Sequence, residues 1–164
     1  MRHAGVDIAP FRSLFDPDHR AFLRPEDMPA AIAQVCNESR QPAPCTPAQF
    51  TRAVPESLAF KYRAVLDSLG ELSGIRFEDI RIMGGGAKNR LLNQFTANAA
   101  GRPVIAGPVE ATALGNNAMQ MLATGVVSSL TEARAIIDRS FPTERFEPVD
   151  SDLWNREYNR FGRY

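Results

Sequence analysis

The chain has 164 residues, of which 44% are hydrophobic and 23% charged; this is an ordinary globular composition, and the length suggests one domain. Lysine plus arginine and aspartate plus glutamate both total 19, so no basic excess favours nucleic acid or an anionic membrane as a partner. No apolar run approaches the roughly 18 residues of a membrane-spanning helix, and no apolar signal segment follows Met1. We therefore expect a cytoplasmic protein in which Cys36 and Cys45 are reduced thiols.

The first part of the chain, 1–47, predicts an irregular segment with one short helix. Pro25-Glu26-Asp27 suits the first turn of a helix, because proline fits there and acidic residues favour the positive end of the helix dipole. The apolar residues of this helix are Met28, Ile32 and Val35. A proline-rich loop follows from Arg40 to Pro47.

A long amphipathic helix is predicted from about Ala48 to Leu72. Apolar residues recur there at spacings of three and four, which is typical of a helix with one buried face: Phe50, Val54, Leu58, Tyr62, Val65 and Leu69. Pro55 lies inside this stretch and has no N–H to donate within a helix. We expect either a kink at Pro55 or a true helix start near it.

Strands and helices alternate in the next part of the chain. The strand candidates Ile80–Met83 and Val104–Ala106 are separated by a predicted helix from about Lys88 to Ala100, and another helix follows from about Ala111 to Ala123. This order predicts an α/β fold with a βαβα core, in which the two strands are parallel and the crossover is right-handed.

The rest of the chain predicts little regular structure. One more helix is expected from Thr131 to Arg139, and the segment 142–164 is expected to be rich in loops, with Trp154 and Tyr158 as late anchors. Two strands are too few for a stable parallel sheet, and the further candidates Gly5–Ile8 and Phe146–Val149 are weak. We therefore expect a partial domain whose sheet has further strands elsewhere.

Three consecutive glycines, Gly84, Gly85 and Gly86, join the first strand to its helix. Residues without a Cβ let the backbone approach a ligand closely, and the N-terminus of a helix offers free N–H groups to an anion. The junction therefore predicts a phosphate site, although a turn that only packs strand and helix closely is an equal alternative on chemistry alone. Gly-Lys-Ser/Thr of a P-loop is absent, and the third glycine of a dinucleotide fingerprint would fall on Asn89.

Polar residues near the two strand-to-helix turns have structural and functional interpretations. The amide of Asn89 could cap the helix or pair with the edge of a nucleobase. Lys88 is more easily explained as a solvated surface lysine than as a phosphate ligand. Glu110 and Thr112 are more easily explained as residues that favour the start of a helix than as functional residues. No metal-ligand spacing and no catalytic triad or general base stands out in the sequence.

Two longer segments carry a family resemblance. Arg81–Gln94, which contains the three glycines, and Gly101–Asn116 together resemble the C-terminal domain of carbohydrate kinases of the FGGY family, closest to the branch that phosphorylates L-rhamnulose. Phe15–Met28 and Ser57–Tyr62 agree with this resemblance, which extends over about residues 10–150. The two segments together are far more specific than the glycines alone.

The resemblance implies a fold and a function. The fold would be part of an actin-like ATPase (ribonuclease H-like) domain, with 48–141 as the partial C-terminal kinase domain, 1–47 before it and the tail 142–164 after it. The activity would be transfer of the γ-phosphoryl group of ATP to L-rhamnulose in the presence of Mg²⁺. Gly84, Gly85 and Gly86 would contact ATP, and Asn89 would lie on the adenine side.

Other parts of such a kinase are not recognised in the sequence. They are the N-terminal domain with its phosphate-binding loop, the aspartate that acts as base on the sugar hydroxyl, and the early strands of the C-terminal domain. Since phosphoryl transfer needs several such parts at once, we expect this chain to be inactive alone and to need a separate N-terminal kinase half. A non-catalytic remnant or a protein-interaction module with an open sheet edge is the alternative. A free-standing dinucleotide-binding domain is disfavoured by the missing third glycine.

Overall fold

A computed structural model describes residues 9–162 of the chain. The described residues form six α-helices and one three-stranded sheet, in this order: α1 (Met28–Glu38), α2 (Pro47–Ser73), β1 (Ile80–Ile82), α3 (Arg90–Ala100), β2 (Val104–Ala106), α4 (Ala111–Ala123), α5 (Leu130–Ser140), β3 (Glu144–Phe146) and α6 (Ser151–Phe161). The strand candidate Gly5–Ile8 lies outside the described residues. None of the helices in the described part is both long and apolar enough to cross a lipid bilayer.

Helix α1 begins three residues after the predicted opening at Pro25. Asp27 is its N-cap, and the Asp27 carboxylate accepts a hydrogen bond of 3.0 Å from the N–H of Ala30. Ile32 and Val35 are buried as expected, but Met28 is 43% exposed because it is the first residue of the helix and lies at its free end. The capping carboxylate, rather than the proline, sets the start of α1.

Helix α2 is continuous through Pro55. Thr46 caps it, and Pro47 occupies the first turn, where a missing N–H costs nothing. The expectation that the helix starts near Pro55 was therefore wrong. Pro55 is buried, so its ring contributes to the core at the position where the helix loses one hydrogen bond.

The buried face of α2 differs from the predicted one. Ala53, Ser57 and Phe60 are buried, whereas Val65 and Leu69 are 48% and 49% exposed. Periodicity locates an apolar face but does not say whether another element covers it. The second half of the predicted stripe has no such cover within residues 9–162.

The sheet has the strand order β1-β2-β3. β1 and β2 are parallel, with Ile80 opposite Val104, so the predicted βαβα core is confirmed. β3 is antiparallel to β2, with Phe146 opposite Val104. The weak strand candidate Phe146–Val149 therefore lies too far toward the C-terminus. In this segment the residues that pair with β2 are Glu144–Phe146.

The tail is more regular than the sequence indicates. Instead of being rich in loops, 142–164 contains β3 and α6. Trp154 and Tyr158 do serve as anchors, since both rings contact Phe60, with centroids 5.2 and 5.7 Å away. One core cluster combines residues of all three predicted segments, namely Phe11, Leu14, Ala59, Phe60, Ala99, Trp154 and Phe161. The predicted boundaries between the three segments, at 47/48 and 141/142, stay a prediction.

A buried carboxylate ties the N-terminal segment to α2. Glu56 is 1% exposed; its Oε2 accepts a hydrogen bond of 2.9 Å from the N–H of Phe11, and its Oε1 pairs with the Arg52 guanidinium at 2.7 Å. Burial raises the pKa of Glu56, and the charge of Arg52 opposes this shift only in part. The contact between Glu56 and Phe11 spans 45 residues of chain.

The core around Phe60 generates a first prediction. Phe60→Ala should lower the free energy of unfolding by about 3 to 5 kcal/mol, because it opens a cavity among four aromatic rings. Urea unfolding of the purified chain measures this. Leu72→Ala, at an 87% exposed position of the same helix, is the control and should change the value by no more than about 0.5 kcal/mol. Equal effects of the two substitutions would contradict the assigned core.

The burial of Glu56 generates a second prediction. Because its pKa is raised in the folded state, the folded protein retains a proton that the unfolded chain loses near the ordinary glutamate pKa of 4.5. The contribution of Glu56 to stability is therefore fully present below that pH and is lost as pH rises through the folded-state pKa. The difference in unfolding free energy between the wild type and Glu56→Gln should fall as pH rises from about 4 to neutrality.

Urea unfolding at a series of pH values tests this sign. Glu71→Gln, at an exposed position of the same helix, controls for the removal of a carboxylate. If the wild type instead gained stability over Glu56→Gln as pH rises, the ion pair with Arg52 would outweigh the desolvation of Glu56.

Candidate functional site

The candidate site lies at the carboxyl ends of the two parallel strands. Two hydrogen bonds hold these ends together: the N–H of Gly107 donates to the Ile82 carbonyl at 2.8 Å, and the N–H of Gly84 donates to the Pro108 carbonyl at 3.0 Å. Ligands of open α/β sheets bind outside this end of the strands. The chain therefore brings the glycine turn and the Gly107-Pro108 turn to one edge of the sheet.

The glycine turn is not followed directly by the helix. Gly84–Lys88 forms a 3₁₀ turn, and α3 begins at Arg90 rather than at the predicted Lys88. The amide of Asn93, buried on the first turn of α3, donates a hydrogen bond of 3.0 Å to the Ala87 carbonyl and thereby holds the end of the turn. Sequence reasoning missed Asn93, although an amide on the inner face of a predicted helix is a signal for such a contact.

The three glycines occupy different environments. Gly84 has a φ of 75°, which only glycine adopts without strain. A Cβ on Gly86 would lie 3.3 Å from Cγ2 of Ile82, so Gly86 allows close packing of turn and strand. Gly85 has neither constraint, since its φ is not positive and a Cβ added there would meet no atom within 4 Å beyond its chain neighbours. The fold itself gives no reason for a glycine at position 85.

The backbone N–H of Gly85 is available to a ligand. Gly85 is exposed and is the second residue of the 3₁₀ turn. The N–H groups of the first residues of such a turn have no acceptor within the turn, so the N–H of Gly85 is not used there. Within residues 9–162 no backbone or side-chain acceptor bonds to it. An exposed donor beside open space at the end of a parallel strand can hydrogen-bond an anionic or polar ligand.

Asn89 caps α3. Its Oδ1 accepts a hydrogen bond of 3.1 Å from the N–H of Leu92, so the capping interpretation of this residue is confirmed. The side chain is exposed, and the cap uses only its oxygen. The amide nitrogen is thus compatible with a second role toward a ligand. Lys88, immediately before it, is exposed as expected of a solvated lysine.

The second turn differs from the capping interpretation. Glu110 occupies the N-cap position of α4, but its side chain makes no capping hydrogen bond. Thr112 is exposed on the first turn of α4. The Gly107–Pro108 peptide is cis, and Gly107 has a φ of 118°. Pro142, just before β3, approaches this turn so closely that a Cβ on Gly107 would lie 3.4 Å from its carbonyl oxygen.

A cavity of about 400 Å³ lies beside the two turns. It is lined by Met83, Gly107 and Pro108 at the strand ends and by residues of α4 and α5, including Leu114, Arg134 and Asp138. The four predicted site residues do not line it, although Met83 directly precedes Gly84. Arg134 and Asp138 were missed because nothing in the sequence indicates that α5 approaches the strand ends.

Two ion pairs lie at the surface near the glycine turn. Arg90 pairs with Glu144 of β3 at 2.6 Å, and Arg81 pairs with Asp79 at 3.6 Å.

Within the described part of the chain, no group of three or more histidine, cysteine or acidic side chains could hold a metal ion. Cys36 is buried, which raises its pKa to about 11, and Cys45 is exposed; both are free thiols.

The sequence of the chain matches a known family over most of its length. A sequence profile described as the FGGY family of carbohydrate kinases, C-terminal domain, matches residues 2–124. The chain belongs to the FGGY family of carbohydrate kinases. The family resemblance of the two glycine-containing segments is thereby confirmed, and the match includes both turns of the candidate site.

Curated relatives are rhamnulokinases. The chain is 45% identical to the rhamnulokinase of Bacteroides thetaiotaomicron over 152 residues, which are 93% of this chain and 31% of that protein. It is 41% identical to the enzyme of Enterococcus faecalis over 150 residues, 89% of this chain and 30% of that protein. The FGGY chain thus spans about 30% of the length of the relatives that it matches.

Solved structures of sugar and glycerol kinases share the fold. The structure of Plasmodium falciparum glycerol kinase with ADP superposes with a TM-score of 0.57 and 24% identity, covering 71% of this chain and 24% of that one. Xylulose kinase from Rhodospirillum rubrum gives a TM-score of 0.52 at 24% identity, over 73% and 24% of the two chains. The predicted fold class, an α/β part of an actin-like ATPase domain, is confirmed.

The cap at Asn89 generates a prediction on stability. Asn89→Ala should lower the free energy of unfolding by about 1 kcal/mol, because the N–H of Leu92 loses its acceptor, whereas Asn89→Ser should retain most of the stability. Urea unfolding of the three proteins measures the difference. If serine and alanine were equally destabilising, the amide of Asn89 would stabilise the site by something other than the cap.

Proposed function

We propose that this FGGY chain is the ATP-binding C-terminal portion of a carbohydrate kinase that transfers the γ-phosphoryl group of ATP to L-rhamnulose, giving L-rhamnulose 1-phosphate. The observation that carries this proposal is Gly85, an exposed glycine with a free N–H that nothing in the fold itself requires. A glycine in such a place is explained if a bulky ligand approaches the backbone closely.

The glycine turn is assigned to ATP. Gly84 supplies the positive φ, Gly86 packs the turn against β1, and Gly85 presents its backbone to the nucleotide. Support comes from the position of the turn at the carboxyl ends of β1 and β2 and from the ADP bound to a kinase of similar fold. Asn89 is assigned to the adenine side, where its amide nitrogen would donate to a ring nitrogen while its oxygen continues to cap α3.

We assign Mg²⁺ to the phosphates of the nucleotide and not to a metal-binding site formed by side chains of this chain. Magnesium in kinases is held chiefly by phosphate oxygens, waters and one or two carboxylates. The described residues around the glycine turn offer backbone N–H groups and an amide rather than a carboxylate cluster. This donor set fits a nucleotide but not a dedicated metal site. The chemistry that Mg²⁺ supplies is neutralisation of the charge that develops on the phosphates.

The sugar is assigned from the relatives. Identities of 38–45% to rhamnulokinases, over 84–93% of this chain, support L-rhamnulose as the acceptor. The sugar contacts and the catalytic base would come from parts of the kinase that the match does not include, since the chain spans about 30% of those relatives. We accordingly propose that the chain is inactive alone, acts in the cytoplasm and works with an N-terminal kinase half.

A non-catalytic interaction module is the second candidate. The exposed apolar face of α2 favours it, because an uncovered face of this kind binds another protein surface whether or not catalysis follows. A kinase assay separates the two candidates.

The test is phosphorylation of L-rhamnulose by ATP and Mg²⁺, followed as formation of the sugar phosphate. It uses the purified chain alone and the chain together with the part of B. thetaiotaomicron rhamnulokinase that lies outside the matched region. We expect product only in the mixture. Product from the chain alone would contradict the need for a second half. No product from folded, associated proteins would favour the interaction module.

Gly85→Ala sharpens the same test. In the active mixture we expect the KM for ATP to rise at least about tenfold, because the added methyl group occupies the space of the nucleotide. Stability should not fall, since a Cβ at this position meets no protein atom. The matched control is Gly162→Ala, where φ is −63° and the nearest atom is 3.9 Å away. An unchanged KM in Gly85→Ala would remove Gly85 from the ATP site.

A further inference from the structure

Asn93 is a buried polar residue next to the glycine turn. Its side chain lies on the first turn of α3 and is 0% exposed. Its Nδ2 donates a hydrogen bond of 3.0 Å to the Ala87 carbonyl, the last but one residue of the turn. Its Oδ1 is also buried but accepts no hydrogen bond from residues 9–162. The amide of Asn93 is therefore used at its nitrogen end and unused at its oxygen end.

Fold stability alone does not explain an amide at position 93. A buried polar atom without a partner lowers stability, and the inner face of a helix is ordinarily apolar. Asn98, on the same helix, is also buried, but its Oδ1 accepts from Gln94 Nε2 at 2.8 Å and from the Val149 N–H at 3.0 Å. The hydrogen bonds of Asn98 account for its burial, whereas Asn93 has the contact with Ala87 as its one explanation.

The glycine turn is fixed at two points. At its start, the N–H of Gly84 donates to the Pro108 carbonyl at 3.0 Å. Near its end, Asn93 holds the carbonyl of Ala87, which is itself a buried residue. Gly85 lies between these two points and is exposed. The direction of the Gly85 N–H therefore depends on both contacts.

The side chain of Asn93 is attached to the main core of the molecule. Its backbone N–H donates to the Asn89 carbonyl at 3.0 Å, so the residue is part of the regular hydrogen bonding of α3. α3 packs against α2 and α6 around Phe60. The carbonyl of Ala87 is thus tied to a helix of the core rather than to another loop.

We propose that Asn93 is a positioning residue for ATP, which fixes the end of the glycine turn so that the N–H of Gly85 faces the nucleotide. The inference rests on the proposed role of Gly85 and adds a residue that is too deeply buried to touch a ligand itself. A donor that is held in place before its ligand arrives has no ordering cost on binding. Loss of the Asn93 amide is therefore expected to weaken ATP binding, although every atom that contacts ATP remains.

The experiment makes the same substitution at two buried asparagines of α3. Asn93→Ala and Asn98→Ala each remove a buried hydrogen bond, and both should lower Tm by several degrees. Activity is measured in the mixture of the chain with the non-matching part of B. thetaiotaomicron rhamnulokinase. Asn93→Ala should raise the KM for ATP at least about tenfold and change kcat less than about threefold. Asn98→Ala should leave both constants unchanged, because its hydrogen bonds do not involve the turn.

Hydrogen exchange in the chain alone gives a readout that needs no activity. The N–H of Asn89 donates to the Gly86 carbonyl at 3.1 Å and so reports on the end of the turn. It should exchange at least about tenfold faster in Asn93→Ala than in the wild type, and at the wild-type rate in Asn98→Ala. A loss of stability without a loss of position would act alike in the two variants.

Asn93→Asp separates the donor from the shape of the side chain. An ionised carboxylate cannot donate to the Ala87 carbonyl, whereas a protonated carboxyl group can. Burial would raise the pKa of this carboxyl group above its ordinary value of about 3.9. Faster exchange at Asn89, relative to the wild type at the same pH, should therefore diminish as pH falls from about 7 to about 5. Lost packing would not give this pH profile.

The outcomes distinguish this inference from the proposed function. No product from the wild-type mixture would contradict the kinase assignment, and exchange at Asn89 would then decide the role of Asn93: faster exchange in Asn93→Ala supports it and an unchanged rate overturns it. In an active mixture, an unchanged KM for ATP in Asn93→Ala, or an equal rise in Asn98→Ala, would also overturn it. If Asn93→Ala does not fold, the pH profile of Asn93→Asp decides in its place.

Discussion

The packing of Phe60 is the contact on which the arrangement of the other elements depends. Phe60 is fully buried on α2, and its ring contacts Phe11 of the N-terminal segment and Trp154, Tyr158 and Phe161 of α6. Three segments that are far apart in sequence therefore meet at one side chain. Because α3 packs against α2 and α6, the same core also fixes the helix that follows the glycine turn.

The site inherits its geometry from this core. α3 holds the glycine turn through Asn93, and the hydrogen bond from the N–H of Gly84 to the Pro108 carbonyl ties the turn to the segment after β2. Gly85 is thus an exposed residue within a turn that these contacts hold in place, as the proposed contact of its backbone with a nucleotide requires. Within residues 9–162, the exposed apolar residues of the second half of α2 and the outer edge of β1 have no covering element. One wall of a site and one uncovered edge are together consistent with a chain that spans about 30% of its relatives.

Much of this could be predicted from local pattern. The βαβα order, the long helix through Ala48–Leu72 and the special glycine turn were all recognisable, because periodicity, glycine content and strand length are local properties. The family resemblance rested on the same segments. The predictions failed where contacts between distant segments decide the local structure. One alternative for Pro55, that the helix starts there, was wrong because α2 begins at Pro47, and the tail was expected to be loop-rich although α6 packs on Phe60.

The sequence by itself determined the family, the parallel βαβα unit and the position of Gly84, Gly85 and Gly86 at a strand-to-helix junction. Only the tertiary structure decided which of the three glycines is free for a ligand and which part of the α2 face is covered. The physical reason is the same in both cases. A φ angle, the space beside a missing Cβ and the burial of a side chain depend on what other segments place next to a residue, and no local pattern records those neighbours.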